Sequence, residues 1–242
     1  MSKSGRRVRA SRGSERLAFE PAGLYEIAMY SGITRGTRKV VEKRSSAGHV
    51  DLVVDLEQDL SAHLELGASV ACDGVCLTVA GIEGTRATFQ VIAETLERTT
   101  LGGLDVGSSV SVERSYRVGD ELGGHEVAGH VTGTGRISSI QRDGGRYDLR
   151  VDVPRDWLRY IFPKGFIAVD GSSLTVGQTY PEGGFDLHLI PETLRLTKFA
   201  SKAVGDPVNI ELDARTVAIV DTVERVLEQR FGAASEVPRP RG

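Results

Sequence analysis

Apolar and polar residues alternate along most of this chain in short runs rather than recurring at helical spacing. Val50–Leu56, Ser69–Cys72, Thr78–Ile82, Thr88–Ile92 and Val110–Glu113 are rich in β-branched or alternating apolar residues, the pattern of strands with one buried face. Glu83-Gly84, Gly102-Gly103 and Asp143-Gly144-Gly145 punctuate them as turns. Roughly six strands in about 95 residues predict a closed Greek-key barrel, which leaves no sheet edge exposed. Asp156–Tyr160 reads as a short helix in the second half of the chain. From Ala214 to Arg230 the period changes. Val217, Val220, Val223, Val226 and Leu227 recur at three- and four-residue steps, with Asp221, Glu224, Arg225 and Glu228 between them. That predicts an amphipathic helix. Its apolar stripe serves oligomerisation or caps its own barrel, and the pattern leaves both open.

The strand pattern is written twice. Asp73-Gly74-Val75-Cys76-Leu77-Thr78-Val79 returns as Asp170-Gly171-Ser172-Ser173-Leu174-Thr175-Val176. Glu94-Thr95-Leu96 returns as Glu192-Thr193-Leu194, Val106-Gly107 as Val204-Gly205, Val112-Glu113 as Ile210-Glu211, and Gly32 as Gly129. Anchors in the same order with a single one-residue slip mark a tandem duplication. The predicted architecture is mainly β: one six-stranded Greek-key barrel over residues 29–122, a second over 123–213, and a C-terminal α-helix over 214–232. Residues 233–242, with two prolines and two arginines after Val237, read as a frayed tail.

Charge and composition narrow the function classes. The net charge of −3 conceals a basic first stretch. Residues 1–28 hold Lys3, Arg6, Arg7, Arg9, Arg12 and Arg16 against Glu15, Glu20 and Glu26. They read as a disordered extension, or as the product of a start site assigned too far upstream, since Met29 opens the ordered-looking sequence. The remaining chain is acidic, which argues against a nucleic-acid-binding body. No stretch approaches the roughly 20 apolar residues of a membrane span. Cys72 and Cys76, the only cysteines, build neither a disulfide framework nor a four-ligand zinc site. A reduced, cytoplasmic setting is expected, with no metal.

Candidate chemistry lies where the repeats differ. Each Gly-x-[Cys/Ser]-Leu-Thr-Val segment runs from a turn into a strand and places a small polar side chain and a Thr hydroxyl on one face. Glu94-Thr95 and Glu192-Thr193 offer a carboxylate and a hydroxyl at the end of an apolar strand. Polar groups gathered at one end of a small barrel suit a flat, hydrogen-bonding ligand such as a pterin. Cys76 is matched by Ser173, Ile33 by His130, Gly67 by Lys164 and Ser115 by Asp213. Two like pockets with unlike reactive groups suit a reaction between two like molecules in unlike roles. Each candidate also has a structural reading: Cys76 as a small buried hydrophobe, His130 as a satisfied histidine, Lys164 as a surface lysine. His125 reads as structural or rim.

Taken together, these strings resemble the riboflavin synthase α-chain family. The match is carried by Met29-Tyr30-Ser31-Gly32-Ile33, Gly74-Val75-Cys76-Leu77-Thr78-Val79, Asp120-Glu121-Leu122-Gly123-Gly124-His125 and Gly129-His130-Val131. It continues through Lys164-Gly165-Phe166-Ile167, the second Asp-Gly-Ser-Ser-Leu-Thr-Val string, Ile190-Pro191-Glu192-Thr193-Leu194 and Asp221-Thr222-Val223-Glu224-Arg225. The resemblance implies two lumazine-binding barrels, a homotrimer, and a site between the first barrel of one subunit and the second barrel of a neighbour. It implies a cofactor-free transferase that dismutates 6,7-dimethyl-8-ribityllumazine, two molecules per site, and association with lumazine synthase. The first pocket would use Gly32, Ile33, Thr34, Ser69, Cys76, Leu77, Thr78, Gln90, Glu94 and Thr95 with Gly129, His130 and Val131. The second would use Lys164, Ser173, Leu174, Thr175, His188, Ile190, Pro191, Glu192 and Thr193. Cys76, His130, Ser173 and Asp213 are the expected catalytic residues.

The chain departs from the family's usual pattern at Tyr30-Ser31, which stand for Phe-Thr, at Glu126 and Ala128, and at Lys198-Phe199. Two other classes compete: a lumazine- or flavin-binding protein without turnover on the same fold, and a barrel module for oligomeric or nucleic-acid contacts. Retention of Lys164, Ser173, Thr175 and Glu192-Thr193 favours catalysis over the first, and the acidic body disfavours the second.

Overall fold

A computed structural model describes residues 29–232; the expected N-terminal extension and C-terminal tail lie outside these residues. The first barrel runs β1 (Thr37–Ser46), β2 (His49–Asp55), α1 (Glu57–Ser61), β3 (Ser69–Cys72), β4 (Val75–Glu83), β5 (Arg86–Ile92), α2 (Ala93–Arg98) and β6 (Ser109–Arg114). The second runs β7 (Gly133–Asp143), β8 (Arg146–Asp152), β9 (Phe166–Val169), β10 (Ser172–Thr179), β11 (Phe185–Leu189), α3 (Pro191–Leu196) and β12 (Pro207–Leu212). Both barrels are closed and antiparallel, with strand order β1-β2-β5-β4-β3-β6 and the equivalent β7-β8-β11-β10-β9-β12. Helix α4 spans Ala214–Phe231. Asp156–Tyr160 lies within a 3₁₀ turn, Arg155–Tyr160.

Alternation explains both cores. In β4 and β5 the residues Val75, Leu77, Val79, Ala87, Phe89 and Val91 point inward and are buried, leaving Thr78, Gln90 and Ile92 on the outer face. The second barrel repeats this with Phe185, Leu187 and Leu189 inside and His188 outside. Register shifts recur at matching places, between Val40 and Glu42 in β1 and between Ile137 and Ser139 in β7. Such bulges sharpen the local twist and bend that barrel closure needs. One strand lacked a sequence signal: β1 buries Val40 and Arg38 but exposes most of its other side chains. Arg38 is accommodated by donating to the Leu56 carbonyl at 3.0 Å and to both carboxylate oxygens of Asp59.

The barrels meet about a local twofold axis. A small cluster of Tyr30, Ala71, Val127 and Ala168 sits on the seam, and Tyr30 and Val127 exchange backbone N–H···O bonds of 2.8 and 2.9 Å. The two Asp-Gly turns touch backbone to backbone. Gly74 has φ +79°, and a Cβ there would lie 2.5 Å from the Gly171 nitrogen. Gly171, at φ +80°, would meet the Gly74 nitrogen at 2.7 Å. The neighbouring carboxylates are buried, each accepting a backbone N–H from the last strand of its own barrel: Asp73 from Ser111 and Asp170 from Asn209, both at 2.8 Å. Lys198 crosses the seam to Asp73 at 2.5 Å, and Asn209 Nδ2 donates to the Asp73 carbonyl at 2.8 Å. Burial outweighs Lys198 and pushes the Asp73 carboxyl up to about 6.

Helix α4 starts at Asp213, whose Oδ2 accepts from the Thr216 N–H at 3.0 Å and its hydroxyl at 2.6 Å, an N-cap. Val217 packs against the second core, while Ile219, Val223, Val226, Leu227 and Phe231 remain exposed.

Gly74→Ala is expected to destabilise the chain by ~2–4 kcal/mol, because it combines a left-handed backbone with a backbone overlap. Urea unfolding measures this, and unchanged stability would contradict the close approach of the two turns.

Candidate functional site

Each barrel is entered by a segment that is anchored on its own barrel and inserted into the other. Ser31 donates both its N–H and hydroxyl to Glu113 of β6, at 2.7 and 2.6 Å. The next residue, Gly32, accepts the Ser173 N–H of the second barrel at 2.8 Å. The mirrored arrangement holds Ala128 and Gly129 N–H on Glu211 of β12, at 2.7 and 3.0 Å, while the Gly129 carbonyl accepts the Cys76 N–H of the first barrel at 2.9 Å. Both glycines need their missing Cβ. Gly32 (φ +68°) would place it 2.5 Å from Ser173 Cβ, and Gly129 (φ +76°) 2.6 Å from Cys76 Cβ.

This exchange corrects the expected grouping. Gly32 does not accompany Cys76; it lies against Ser173, and Ile33 beside it packs next to Gly123. Linear alignment of the repeats could not reveal the swap, because a twofold pair has the same local sequence whichever barrel each segment enters. Thr34 is buried in the seam, its hydroxyl 3.2 Å from that of Ser172.

The first site is a cavity of about 200 Å³ that gathers Cys76, Glu94, Thr95, Gly129, His130 and Val131. Cys76 and Thr78 share the outer face of β4. Leu77 points into the core instead, so strand alternation removes it from this surface. Gln90 is exposed on β5. Glu94 and Thr95 belong to α2 rather than to a strand end, and Glu94 reaches Arg98 at 3.2 Å. Ser69 pairs with Thr78 across β3–β4 but lines a different, larger cavity of about 640 Å³ with Arg114 and Tyr116.

In the second site Thr175, His188 and Ile190 are exposed on the outer face. His188 Nδ1 lies 2.7 Å from Asp148. Leu174 packs toward the second core. Pro191 opens α3, and Glu192 is held by Arg195 at 2.6 Å; that hydrogen bond keeps its carboxyl below the usual range. Thr193 is half-buried on the same helix. Lys164 occupies the turn before β9 at φ +67°, where its repeat partner is glycine at φ +84°.

Two contacts were not read from the sequence. His125 stacks on Phe166, with centroids 5.3 Å apart, and its backbone N–H donates to Ser173 Oγ at 3.1 Å. Its Nδ1 is 2.6 Å from the same oxygen. The hydroxyl can accept a second time or donate to a neutral ring, so the ring tautomer sets the direction of this bond. Burial lowers the His125 pKa, favouring that neutral ring. Asp213, expected in catalysis, caps α4 and acts on His125 through its charge. The second missed contact is Tyr30, whose hydroxyl donates to Cys76 Sγ at 3.1 Å. A Gly-Gly-His string and an opening aromatic carried the only sequence signals for either.

Comparison with known proteins fits this geometry. A family model for the lumazine binding domain matches residues 31–115 and again 128–213. Riboflavin synthase of Escherichia coli (strain K12) is 44% identical over 209 residues, covering 86% of this chain and 98% of that protein. Riboflavin synthase of Buchnera aphidicola subsp. Schizaphis graminum is 39% identical over 202 residues, covering 83% and 97%. Among solved structures, LumP complexed with riboflavin superposes with a TM-score of 0.70 at 21% identity, over 76% of this chain and 99% of that one. LumP complexed with 6,7-dimethyl-8-(1'-D-ribityl) lumazine gives 0.68 at 20%, with the same coverage.

Glu211 fixes the loop that carries His130. Burial pushes its carboxyl from 4.5 to about 7, against the lowering effect of the loop N–H groups. The folded chain therefore binds a proton between those values that the unfolded chain releases. Glu211 makes stability fall as pH rises through that window. Comparing urea midpoints at pH 5.5 and pH 7.5 should show a smaller difference in Glu211→Gln than in the parent chain. An identical pH dependence would contradict the assignment.

Proposed function

This chain belongs to the riboflavin synthase family, and from that premise we propose that it converts two molecules of 6,7-dimethyl-8-ribityllumazine to riboflavin and 5-amino-6-ribitylaminouracil. The observation that carries the reading is the pairing of two matching outer-face sites whose equivalent positions hold unlike groups, Cys76 and Ser173. One lumazine gives up a proton from its 7-methyl group and the other is attacked at a ring carbon; a four-carbon unit then passes between them. No external oxidant or cofactor enters, because one product gains the four carbons that the other loses.

On this reading Cys76, with His130 at the rim of the cavity, assists nucleophile addition and proton transfer at one lumazine. Ser173 and Thr175 orient the second. The His125 ring holds the Ser173 hydroxyl by a hydrogen bond, and Asp213 acts through His125 rather than by touching the ligand. Holding both molecules at attack distance supplies more of the rate than any single acid or base, which is typically worth 10²–10⁴-fold. Gln90, Glu94, Thr95 and His188 with Ile190, Glu192 and Thr193 border the two ligands.

The reaction needs one site of each kind to face the other, and on this reading a neighbouring chain supplies the second. Exposed Ile92 and Leu66 on the first barrel and Phe162, Phe166 and Ile190 on the second suit a partner chain. So does the apolar stripe of α4, in keeping with a homotrimer whose helices pack together. The reduced pair of thiols suits a cytoplasmic enzyme, and the reaction consumes the product of a lumazine synthase, a natural associate.

Mixing the chain with dimethylribityllumazine should produce riboflavin absorbance, with one riboflavin for every two lumazines consumed. Lumazine that binds but is recovered unchanged would favour the ligand-carrier reading. Val223→Glu should leave the β-sheet circular dichroism intact while reducing the sedimenting mass and turnover together. A full-mass assembly would remove α4 from the interface.

A further inference from the structure

Tyr30 is wholly buried on the seam between the barrels. Its ring packs with Ala71, Val127 and Ala168 and lies close enough to Gly129 that a Cβ there would meet Cε2 at 3.0 Å. Phenylalanine would fill this space equally well, so packing does not account for the hydroxyl. That hydroxyl has one hydrogen-bond partner among the described residues, Cys76 Sγ at 3.1 Å. A buried hydroxyl needs a partner, and a neutral thiol is a weak acceptor, whereas sulfur carrying negative charge is a strong one. Burial first, and then the neighbouring Cys76, holds the phenol far above its usual range. Tyr30 therefore acts as a permanent donor and never as a base.

We propose that Tyr30 is a positioning residue for Cys76, donating its hydroxyl to the sulfur so that the remaining face of Sγ is presented to the cavity shared with Thr95 and His130. The bond fixes the side-chain torsion of Cys76 and favours any state in which sulfur gains electron density. It also joins the two halves of the chain at the reacting group, since Tyr30 leads into the first barrel while its backbone pairs with Val127, two residues before Gly129. This inference rests on the reading of Cys76 as a ligand-facing group of a lumazine site.

Tyr30→Phe in the full chain is the test. The other thiol, Cys72, is wholly buried and raised by that burial, so alkylation with iodoacetamide reads Cys76, with Cys76→Ser as the blank. Tyr30→Phe is expected to slow alkylation about tenfold at neutral pH, the loss of one hydrogen bond to the reacting sulfur. In turnover, kcat should fall by a similar factor with KM within twofold, and in a Cys76→Ser background the same substitution should have no further effect. Unchanged alkylation, or equal losses in both backgrounds, would overturn the proposal. Should Tyr30→Phe fail to fold, 3-fluorotyrosine at position 30, a stronger donor of the same shape, must speed alkylation; no change would overturn the proposal equally. The alkylation readout needs no lumazine, so its failure is distinct from a failure of the enzymatic reading.

Discussion

Two glycine turns that touch without side chains set the geometry on which the rest of the protein depends. With Gly74 and Gly171 in backbone contact, the β3–β4 turn of one barrel lies against the β9–β10 turn of the other. Cys76 and Ser173 follow these turns by two residues, so both equivalent positions are pinned close to the seam. The segments leading into each barrel then have only a short way to cross, and Glu113 and Glu211 catch them as they do. Seam, exchange and site are one construction. Buried carboxylates on both sides are tied by backbone N–H groups, as buried charges must be.

Symmetry of this kind produces two similar recognition surfaces; chemistry requires that they differ. The structure keeps the frame equal and varies what touches the two equivalent positions. Tyr30 meets Cys76 from the seam, and His125 meets Ser173 from the linker. One position is thereby given a sulfur with a tyrosine hydroxyl as donor, the other a hydroxyl hydrogen-bonded to an imidazole. Unlike electrostatic surroundings for like ligands are what a dismutation between identical molecules needs.

Much of the fold was legible because alternation is a strong signal where both faces are well defined, as in β4 and β5, and because duplication doubles every clue. β1 was not legible: its one buried apolar side chain, Val40, sits among exposed charges, and a buried Arg38 breaks the pattern. Glu94 and Glu192 looked like strand ends because a single helical turn carries no period to detect. The equivalence of Cys76 and Ser173, and the placing of His130 beside a repeat anchor, were legible from aligning the repeats. The pairing of Gly32 with Ser173 was not, since exchange between twofold-related halves leaves no trace in sequence. Nor were the contacts of Tyr30 and His125, which depend on where those backbone segments are led.

Structure determination with a non-reacting lumazine analogue measures the central claim, that each site is completed by the segment leading into the opposite barrel. The account predicts one analogue touching Cys76 and His130 and a second touching Ser173 and bordered by Gly32–Ile33. An analogue contacted by Cys76 together with Ile33, and not by His130, would contradict it.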